Sequence, residues 1–439
     1  MTQDVKVSVA DSSREVERPR RRVLVLLNQL SLGGTQLNAL DFAGAVRRYG
    51  YDSILVAEQD PRSPDQPMVQ LAADRGFPIT VLPVVSSTAR RAVLLDRLAR
   101  SHGCQLVHTY GWWSAPASFW GPAKFGRMPL VMTAYEMSVQ ATIFPSIPLV
   151  VGTQYQVEDL ASRPGPVHYI SPPVDLALDN QRAVDSASFV DQLGLNPGHL
   201  RVVIVSRLAE EMKACGIEVA IRALEALSRP DVDLVIVGTG DAETRLRMLA
   251  TEVNVRLGRR AVVLPCAMSD PRPAYACADI VLGMGGSAAR AMAFAKPLIA
   301  LGEQGWSSMF TPRSAAAIFR NSFWSDDRPA SPIELLVEQL QVLLDDGRHR
   351  RDLGAFGRTF AETNFGLGEM AAKLAAVYDS ALSERRLGPW IKDAVGYADG
   401  PRMRSFVRRR LPGGAVLGAD PQLPRPADQQ DVSRKGGAP

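Results

Sequence analysis

Apolar residues along this chain form short continuous runs, and the segments between most of these runs carry apolar residues at helical spacing. Continuous apolar runs are typical of parallel strands whose two faces are both covered by helices. The first series of runs lies near Val23–Leu27, Ser53–Ala57, Ile79–Leu82, Leu106–Thr109, Leu130–Thr133 and Leu149–Val151. The second series lies at Val202–Val205, Asp233–Val237, Ala261–Leu264, Ile280–Leu282 and Leu298–Leu301. This alternation predicts an α/β protein with two doubly wound, Rossmann-like domains.

Shifts in composition predict where the two domains begin and end. Residues 1–21 are polar and charged, which indicates a disordered basic arm, and the first domain is expected to span 22–185. The stretch Pro172–Pro197 is rich in proline and polar residues and predicts a linker. The second domain is expected at 195–365.

The carboxy-terminal end of the chain has a different character. We expect a helix at 366–387 that packs back on the first domain, followed by a largely disordered tail at 388–439 that is rich in proline, glycine and arginine. The net charge is only +4, and the unbalanced basic residues are concentrated in the two tails, at Arg14–Arg22 and Arg402–Arg410. The body of the protein is therefore close to neutral.

Length and composition exclude several classes of protein. The chain has 439 residues, more than a single hydrophobic core usually supports. It lacks the run of roughly 18 to 20 apolar residues that a membrane-spanning helix requires, and no hydrophobic stretch follows its amino-terminal charges. We therefore expect a cytoplasmic protein. Cys104, Cys215, Cys266 and Cys277 lack metal-ligand spacing and are expected to be reduced.

Two cations follow the first strand of the second series and precede an amphipathic segment at 216–227. Arg207 and Lys213 thus lie near the amino terminus of a predicted helix, where the backbone dipole already disfavours positive charge. A bound anion would resolve this conflict. The alternative is that both are solvated loop charges paired with Glu210 and Glu211.

Glycine-rich turns follow two of the predicted strands. Gly33 and Gly34 come directly before a predicted helix, and Gly238 and Gly240 follow the second strand of the second series. Such turns let the backbone approach a phosphate closely at a helix amino terminus. The alternative for the Gly33–Gly34 pair is a tight turn without a ligand.

Several motifs together resemble one enzyme family, the family 4 glycosyltransferases, which have the GT-B fold. The resemblance covers roughly residues 22–385 and is stronger in the second half. Its motifs stand in order at Val23–Gln36, Leu106–His108, Thr133–Glu136, Pro173–Asp175, Ser206–Lys213, Leu234–Asp241, Tyr275–Asp279 and Ala291–Pro297.

The resemblance implies how a nucleotide-diphosphate sugar is bound as co-substrate. Arg207 and Lys213 hold the diphosphate of this donor and stabilise the charge that develops as it leaves. Gly33 and Gly34 face the same phosphates, and the 238–240 turn leaves room for the nucleotide. Family members retain configuration at the sugar carbon, which implies a donor phosphate oxygen as proton acceptor. No further cofactor is implied, and a metal-free mechanism is favoured because no Asp-x-Asp lies in a suitable turn.

The chain departs from the family pattern on the donor side. Leu282 and Arg290 stand where the family usually has two glutamates, the second of which binds the nucleotide ribose. The turn between them contains Gly285, Gly286 and Ser287, which we expect to present backbone N–H groups to phosphate or sugar. Glu303 can supply a carboxylate in place of the missing glutamates. The alternative interpretation is that Glu303 is an exposed acid on a loop.

Further departures concern the acceptor side. Tyr135 replaces a catalytic histidine of the family, and we assign it to catalysis together with its neighbour Glu136. His108, at a strand end, is a candidate for the acceptor side, with a structural role as the alternative. Trp112 and Trp113 can stack on a sugar or an apolar acceptor, or pack between the domains.

These observations predict a glycosyltransferase that acts on a glycan, lipid-linked or small-molecule acceptor. The alternatives are a catalytically degenerate binding protein, a nucleotide-sugar epimerase of the same fold and, least favoured, a nicotinamide dehydrogenase, for which the first turn lacks the Gly-x-Gly-x-x-Gly spacing. The segment 404–411 mixes arginines with apolar residues, which favours either peripheral contact with an anionic membrane or a solvated tail. No pattern supports nucleic-acid binding.

Overall fold

The computed structural model describes residues 20–59, 65–136, 139, 144–265, 268 and 270–399. Residues 1–19 of the predicted arm, Cys266 and residues 400–439 of the predicted tail lie outside the described residues. The described part contains two sheets, each flanked by helices, and the predicted α/β fold class is confirmed.

The first sheet is parallel throughout its described strands. Its strands are β1 Arg21–Leu26, β2 Tyr51–Glu58, β3 Thr80–Leu82, β4 Leu106–Tyr110, β5 Leu130–Ala134, β6 Leu149–Val151 and β7 Val167–Tyr169. They lie in the order β3-β2-β1-β4-β5-β6-β7, and in β1 Val25 is opposite both Leu55 and His108. Strand β7 was not predicted, because its Val-His-Tyr sequence is only half-buried and forms no apolar run.

The second sheet is parallel except at one edge. Its strands are β8 Leu200–Val205, β9 Val232–Val237, β10 Val262–Val263, β11 Ile280–Gly283, β12 Leu298–Leu301 and β13 Ser307–Met309. They lie in the order β10-β9-β8-β11-β12-β13, in which β13 is antiparallel to β12. The short edge strand β13 carries two serines, so its sequence has no strand-like apolar pattern.

Helices cover the faces of both sheets. They are α1 Gly34–Ala45, α2 Pro67–Asp74, α3 Thr88–Ser101, α4 Ala115–Trp120, α5 Gln154–Asp159, α6 Ala187–Gln192, α7 Ala214–Leu227, α8 Glu243–Leu257, α9 Arg272–Cys277, α10 Gly286–Ala293, α11 Ala315–Arg320, α12 Pro332–Asp345, α13 Gly347–Asn364, α14 Leu367–Ser383 and α15 Leu387–Asp399. Side-chain caps begin some of them: Ser87 accepts a hydrogen bond from the Arg90 N–H, and Asp346 accepts from Arg348 and His349.

The structure corrects the expectation of a disordered tail from residue 388 onward, because α15 extends to Asp399. Pro389 lies in the first turn of this helix, where the missing N–H costs no hydrogen bond. The Trp390 ring stacks on Phe119 with centroids 5.3 Å apart, and the Asp393 carboxylate accepts the Ser146 N–H at 3.0 Å. These contacts tie the first half of α15 to the first sheet.

The chain passes between the sheets twice, and the two passages are hydrogen-bonded to each other. The Val174 N–H donates to the Phe365 carbonyl, and the Leu367 N–H donates to the Val174 carbonyl, each at 2.9 Å. Val174 and Gly366 thereby form an isolated parallel bridge. The predicted linker is thus not a free connection, and it also contains α6.

Helix α14 packs on the first sheet through a buried polar contact. The Tyr378 hydroxyl lies 2.7 Å from Nδ1 of His108, and the other ring nitrogen lies 2.7 Å from the Thr133 hydroxyl. His108 has no exposed surface, and burial lowers its pKa to about 3. Its position corrects the expectation that His108 reaches an acceptor, because both ring nitrogens are used inside the core.

Burial of a neutral histidine predicts a loss of stability in acid. The unfolded chain binds a proton at His108 below a pH of about 6.5, whereas the folded chain does not until about pH 3, so the free energy of unfolding falls as pH decreases. This residue contributes up to about 1.4 kcal/mol per pH unit in that window. Urea denaturation from about pH 7 to about pH 5 measures the slope.

The His108→Gln variant should lose that part of the slope, and His349→Gln on the surface of α13 serves as the control. At neutral pH His108→Gln should also be less stable by about 1–3 kcal/mol, because two buried hydroxyls lose their partner. An unchanged acid slope in His108→Gln would contradict the assignment.

Candidate active site

A crevice lies between the two sheets at the carboxyl ends of their strands. One wall carries Gly152 after β6 and Ser171 after β7, and the other carries Gly285 and Gly286 after β11. The carboxyl ends of parallel strands are where open α/β sheets bind ligands. The loops that carry the predicted site residues begin at these same edges.

Arg207 and Lys213 lie in the loop that leads from β8 into α7. The loop places Met212 in the left-handed backbone region, with φ of 67°, which is uncommon for a residue with a side chain. Lys213 follows directly and occupies the amino-terminal cap position of α7 without a side-chain capping bond. The positive end of the helix dipole and the ammonium group therefore lie together.

Neither cation is neutralised by the acids beside it in the sequence. Glu210 pairs with Arg245 at 2.8 Å, and Arg245 also pairs with Glu218. No residue that the structure describes forms an ion pair with Arg207 or Lys213. The alternative in which both cations pair with loop acids is therefore not what the structure shows.

The environment of Lys213 makes its ammonium group easier to deprotonate than usual. Burial and, to a smaller extent, the nearby Arg207 guanidinium lower the pKa of this group to about 8. Glu303, in the loop after β12, acts in the opposite direction. Two cations and one carboxylate thus converge at the start of α7, an arrangement that an anionic ligand would stabilise. Glu303 lies with the cations and not alone on an exposed loop.

The Gly238–Gly240 turn supports this loop from β9. A Cβ atom at Gly238 would overlap the Ser206 carbonyl oxygen, and one at Gly240 would overlap the Leu208 carbonyl oxygen. The turn and the loop also share backbone hydrogen bonds, including one from the Leu208 N–H to Thr239 at 2.9 Å. These glycines therefore permit close packing of the two loops, a role that differs from the room for a nucleotide expected from the sequence.

The Gly33–Gly34 turn has two separate functions. A Cβ atom at Gly33 would contact the side-chain oxygen of Gln36, which folds back and donates to Asn28 at 2.6 Å. No described atom lies within 4 Å of the Cβ position at Gly34. Gly33 therefore makes room for Gln36, while Gly34 leaves the amino terminus of α1 open to a ligand.

The turn before α10 is similarly open. Gly285 has φ of 56° and, like Gly286, would place a Cβ atom in open space. The Ser287 hydroxyl bonds to the Met284 N–H at 3.2 Å and to the Met284 carbonyl at 3.0 Å. The two glycines thus expose the helix terminus, and the Ser287 hydroxyl shapes the turn.

Comparison with known proteins shows what kind of protein carries these residues. Residues 199–324 match the family model described as Glycosyl transferases group 1. A GDP-mannose-dependent monoacylated alpha-(1-6)-phosphatidylinositol monomannoside mannosyltransferase from Corynebacterium glutamicum is 27% identical over 322 residues, which is 68% of this chain and 74% of that protein. These matches identify the chain as a glycosyltransferase.

Solved structures show that the glycosyltransferase has the GT-B fold. A glycosyltransferase from Rickettsia africae aligns with a TM-score of 0.67 at 14% identity, covering 84% of this chain and 100% of that one. Anabaena Alr3699/HepE, solved in complex with UDP and glucose, aligns with a TM-score of 0.63 at 18% identity, covering 82% of this chain and 100% of that one.

Two positions of the glycosyltransferase lack carboxylates expected from the family pattern. Leu282 is fully buried in β11 and belongs to the core. Arg290, one turn into α10, donates from Nε to Asp179 at 3.1 Å. Burial opposes its charge, but Asp179, Tyr275 and Asp41 outweigh this effect and raise the pKa of Arg290. Asp41 belongs to α1, so Arg290 interacts electrostatically with a helix of the first sheet.

Tyr135 and Glu136 follow β5 and carry buried polar atoms that lack protein partners. Neither the Tyr135 hydroxyl nor Oε2 of Glu136 has a hydrogen-bond partner in the part of the chain that the structure describes. Burial raises the pKa of both groups, although backbone N–H groups partly oppose this effect at Glu136. Glu136 and Asn28 both approach Gly111. A Cβ atom added to this glycine would lie 3.1 Å from Oε1 of Glu136 and 3.4 Å from the amide nitrogen of Asn28.

The two tryptophans follow β4 at the ligand-binding edge. Trp113 is 50% exposed, and its ring lies 6.1 Å from that of Trp112 in an edge-on arrangement. The Arg91 guanidinium lies 5.8 Å from the Trp113 ring and is itself paired with Glu58. Trp113 is therefore available to an acceptor, in contrast to the buried His108.

Sequence reasoning missed Asn28, Gln36, Asp179 and Tyr378. Asn28 and Gln36 flank the Gly33–Gly34 turn in the sequence, so their polarity at a strand end was an available signal. Asp179 and Tyr378 contact residues more than 100 positions away, at separations of 111 and 270, and nothing local marks them.

Among the described residues there is neither a membrane-spanning helix nor a metal-binding cluster. No helix there is both long and apolar enough to cross a bilayer. No group of three or more histidine, cysteine, aspartate or glutamate side chains there is arranged to hold a metal ion.

Proposed function

We propose that this glycosyltransferase belongs to family 4 and transfers a sugar from a nucleoside diphosphate sugar to an acceptor hydroxyl with retention of anomeric configuration. The observation that carries the proposal is the pair Arg207 and Lys213, two cations without an ion-pair partner among the described residues at the start of α7. A diphosphate that leaves a sugar carbon gains negative charge, and preorganised cations stabilise this charge most strongly in a water-poor crevice.

The open helix termini are proposed to complete the donor site. Gly34 at the start of α1 and Gly285 with Gly286 at the start of α10 present backbone N–H groups and positive dipole ends without side chains in the way. Positive charge from Arg207 and Lys213 takes the role that a divalent cation has in metal-dependent transferases, so we propose a metal-independent reaction. With retention, a phosphate oxygen of the donor accepts the acceptor's proton.

The acceptor is proposed to bind against the first sheet, beside Glu136 and Trp113. A carboxylate oxygen without a protein partner can accept a hydrogen bond from a hydroxyl, and Trp113 offers a face for a sugar ring or an apolar group. Tyr135 can donate to an oxygen of the transferred sugar. The mannosylated phosphatidylinositol on which the Corynebacterium relative acts is a lipid-linked acceptor, and we include that class with glycans and small molecules.

The donor site is tested by removing its charges. Arg207→Ala and Lys213→Ala should each weaken calorimetric binding of UDP or GDP and lower the rate of transfer by about a hundredfold, because a charge that stabilises the leaving diphosphate is lost. Arg222→Ala is a matched control, since Arg222 lies on the same helix but is paired with Glu218. Equal binding by the Arg207→Ala, Lys213→Ala and control variants would refute the proposed site.

The lowered pKa of Lys213 predicts a pH dependence of donor binding. The free ammonium group loses its proton as pH rises through about 8, whereas a bound diphosphate favours the protonated form. Affinity should therefore be highest below about pH 8 and decrease by up to about tenfold per pH unit above it. Calorimetry across this range, repeated with Lys213→Arg, is the measurement. Lys213→Arg stays charged, so its affinity for the nucleotide should decrease much less as pH rises. An equal decrease in affinity in both proteins would contradict the assignment of Lys213 to the donor site.

The reaction class is tested by product analysis. Incubation with the donor alone should return the donor sugar unchanged apart from slow hydrolysis, whereas an epimerase of the same fold would convert it without an acceptor. When an acceptor is present, the anomeric coupling constant of the product should show the same configuration as the donor. Formation of an epimer, or an inverted product, would exclude the proposal, and nucleotide binding without any turnover would favour the degenerate alternative.

A further inference from the structure

A second surface with unusual chemistry lies at the start of α15, away from the crevice residues. Leu387 and Ile391 are 53% and 50% exposed, and Phe125 is 58% exposed. Leu387 and Ile391 are four residues apart and therefore lie on one face of the helix. The Phe125 ring lies 5.0 Å from that of Trp390, which places it beside the helix. We call these three side chains the α15 face.

The helix cannot turn to bury the α15 face, because its other side is already held. Trp390 donates from its indole nitrogen to the Phe119 carbonyl at 3.3 Å, and the Asp393 carboxylate accepts the Ser146 N–H. Arg386 fixes the start of the helix by donating to the Gly126 carbonyl at 3.0 Å. These contacts therefore keep the apolar side chains of the α15 face exposed to solvent.

The charge around the α15 face is positive. Lys124, Arg385 and Lys392 are exposed neighbours of the three apolar residues, and none forms an ion pair with a residue that the structure describes. Five further arginines follow in the sequence within Arg402–Arg410, outside the described residues. Apolar side chains surrounded by unpaired cations match the boundary between the acyl chains and the anionic headgroups of a bilayer.

An apolar pocket next to the α15 face has the same character. Its lining includes Met128, Ile147, Pro148 and Pro389, together with Arg385, Arg386 and the acid Glu384. Apolar walls with an excess of arginine suit an apolar chain that carries a negatively charged group. This pocket is formed by α4, β5, the segment 146–148 before β6 and the α14–α15 corner, and it shares no lining residue with the crevice.

We propose that the α15 face docks the protein on an anionic phospholipid membrane, with Phe125, Leu387 and Ile391 entering the interface and the surrounding cations contacting headgroups. A second copy of the chain is the less suitable occupant, because a two-fold contact would bring Arg385 and Lys392 against the same charges of the other copy. The docking surface rests on observations separate from those for sugar transfer.

Vesicle co-sedimentation of the full-length protein tests this docking. The protein should bind vesicles of equimolar phosphatidylcholine and phosphatidylglycerol, bind phosphatidylcholine alone much more weakly, and be released by high salt. Ile391→Glu and Leu387→Glu should each reduce partitioning at least about tenfold, because an apolar side chain is replaced by an anion. Val255→Glu is the matched control: Val255 is 75% exposed on α8, in the other half of the protein.

Each outcome supports or overturns the docking surface. Sugar transfer to a soluble acceptor should be equal in all of these variants, so a failure of docking is distinguishable from a failure of the proposed reaction. Unchanged partitioning of Ile391→Glu and Leu387→Glu would overturn the proposal, as would binding that depends only on residues 400–439 in a truncated chain. Dissociation of a dimer by Ile391→Glu, with no vesicle binding by the parent protein, would assign the face to a second copy instead.

Discussion

Repulsion between two cations that form no ion pair with a described residue, only partly offset by Glu303, sets the electrostatics at the start of α7. Arg207 and Lys213 lie at the positive end of α7, and the acid that could neutralise them in the loop, Glu210, is drawn away by Arg245. This arrangement costs stability in the empty protein, since burial and like charge both disfavour the protonated amine. Backbone hydrogen bonds between the β8–α7 loop and the turn after β9 nevertheless hold the loop that carries the cations in place.

Those contacts explain why glycines occur where they do. Gly238 and Gly240 let the turn after β9 pack directly on the carbonyls of the β8–α7 loop, and so they fix the loop that carries the cations. Gly34, Gly285 and Gly286 act differently, because the space beside them is empty and two helix termini are left uncovered. The same residue type thus permits close packing of loops at one turn and leaves helix termini accessible at others.

How much of this could be predicted from the sequence depended on how local each signal was. The strands that form continuous apolar runs, such as the one ending before Ser206, were located by pattern alone, whereas β7 and β13 lie at or near sheet edges and lack that pattern. Arg207 and Lys213 were identifiable because a strand end and a helix start adjoin them. The role of His108 was not, since its partner Tyr378 is 270 residues away and only the folded chain joins them. The bonds of the Ser287 hydroxyl to Met284 could not be predicted, because a turn-shaping hydroxyl and a ligand-binding one have the same sequence signature.

The bridge between Val174 and Gly366 has a mechanical consequence. Both covalent passages between the sheets run side by side and are tied by a reciprocal pair of backbone hydrogen bonds. The ion pair between Arg320 of α11 and Glu158 of α5 joins the two halves at another place. A change in the width of the crevice therefore has to bend both passages together and to strain this ion pair as well.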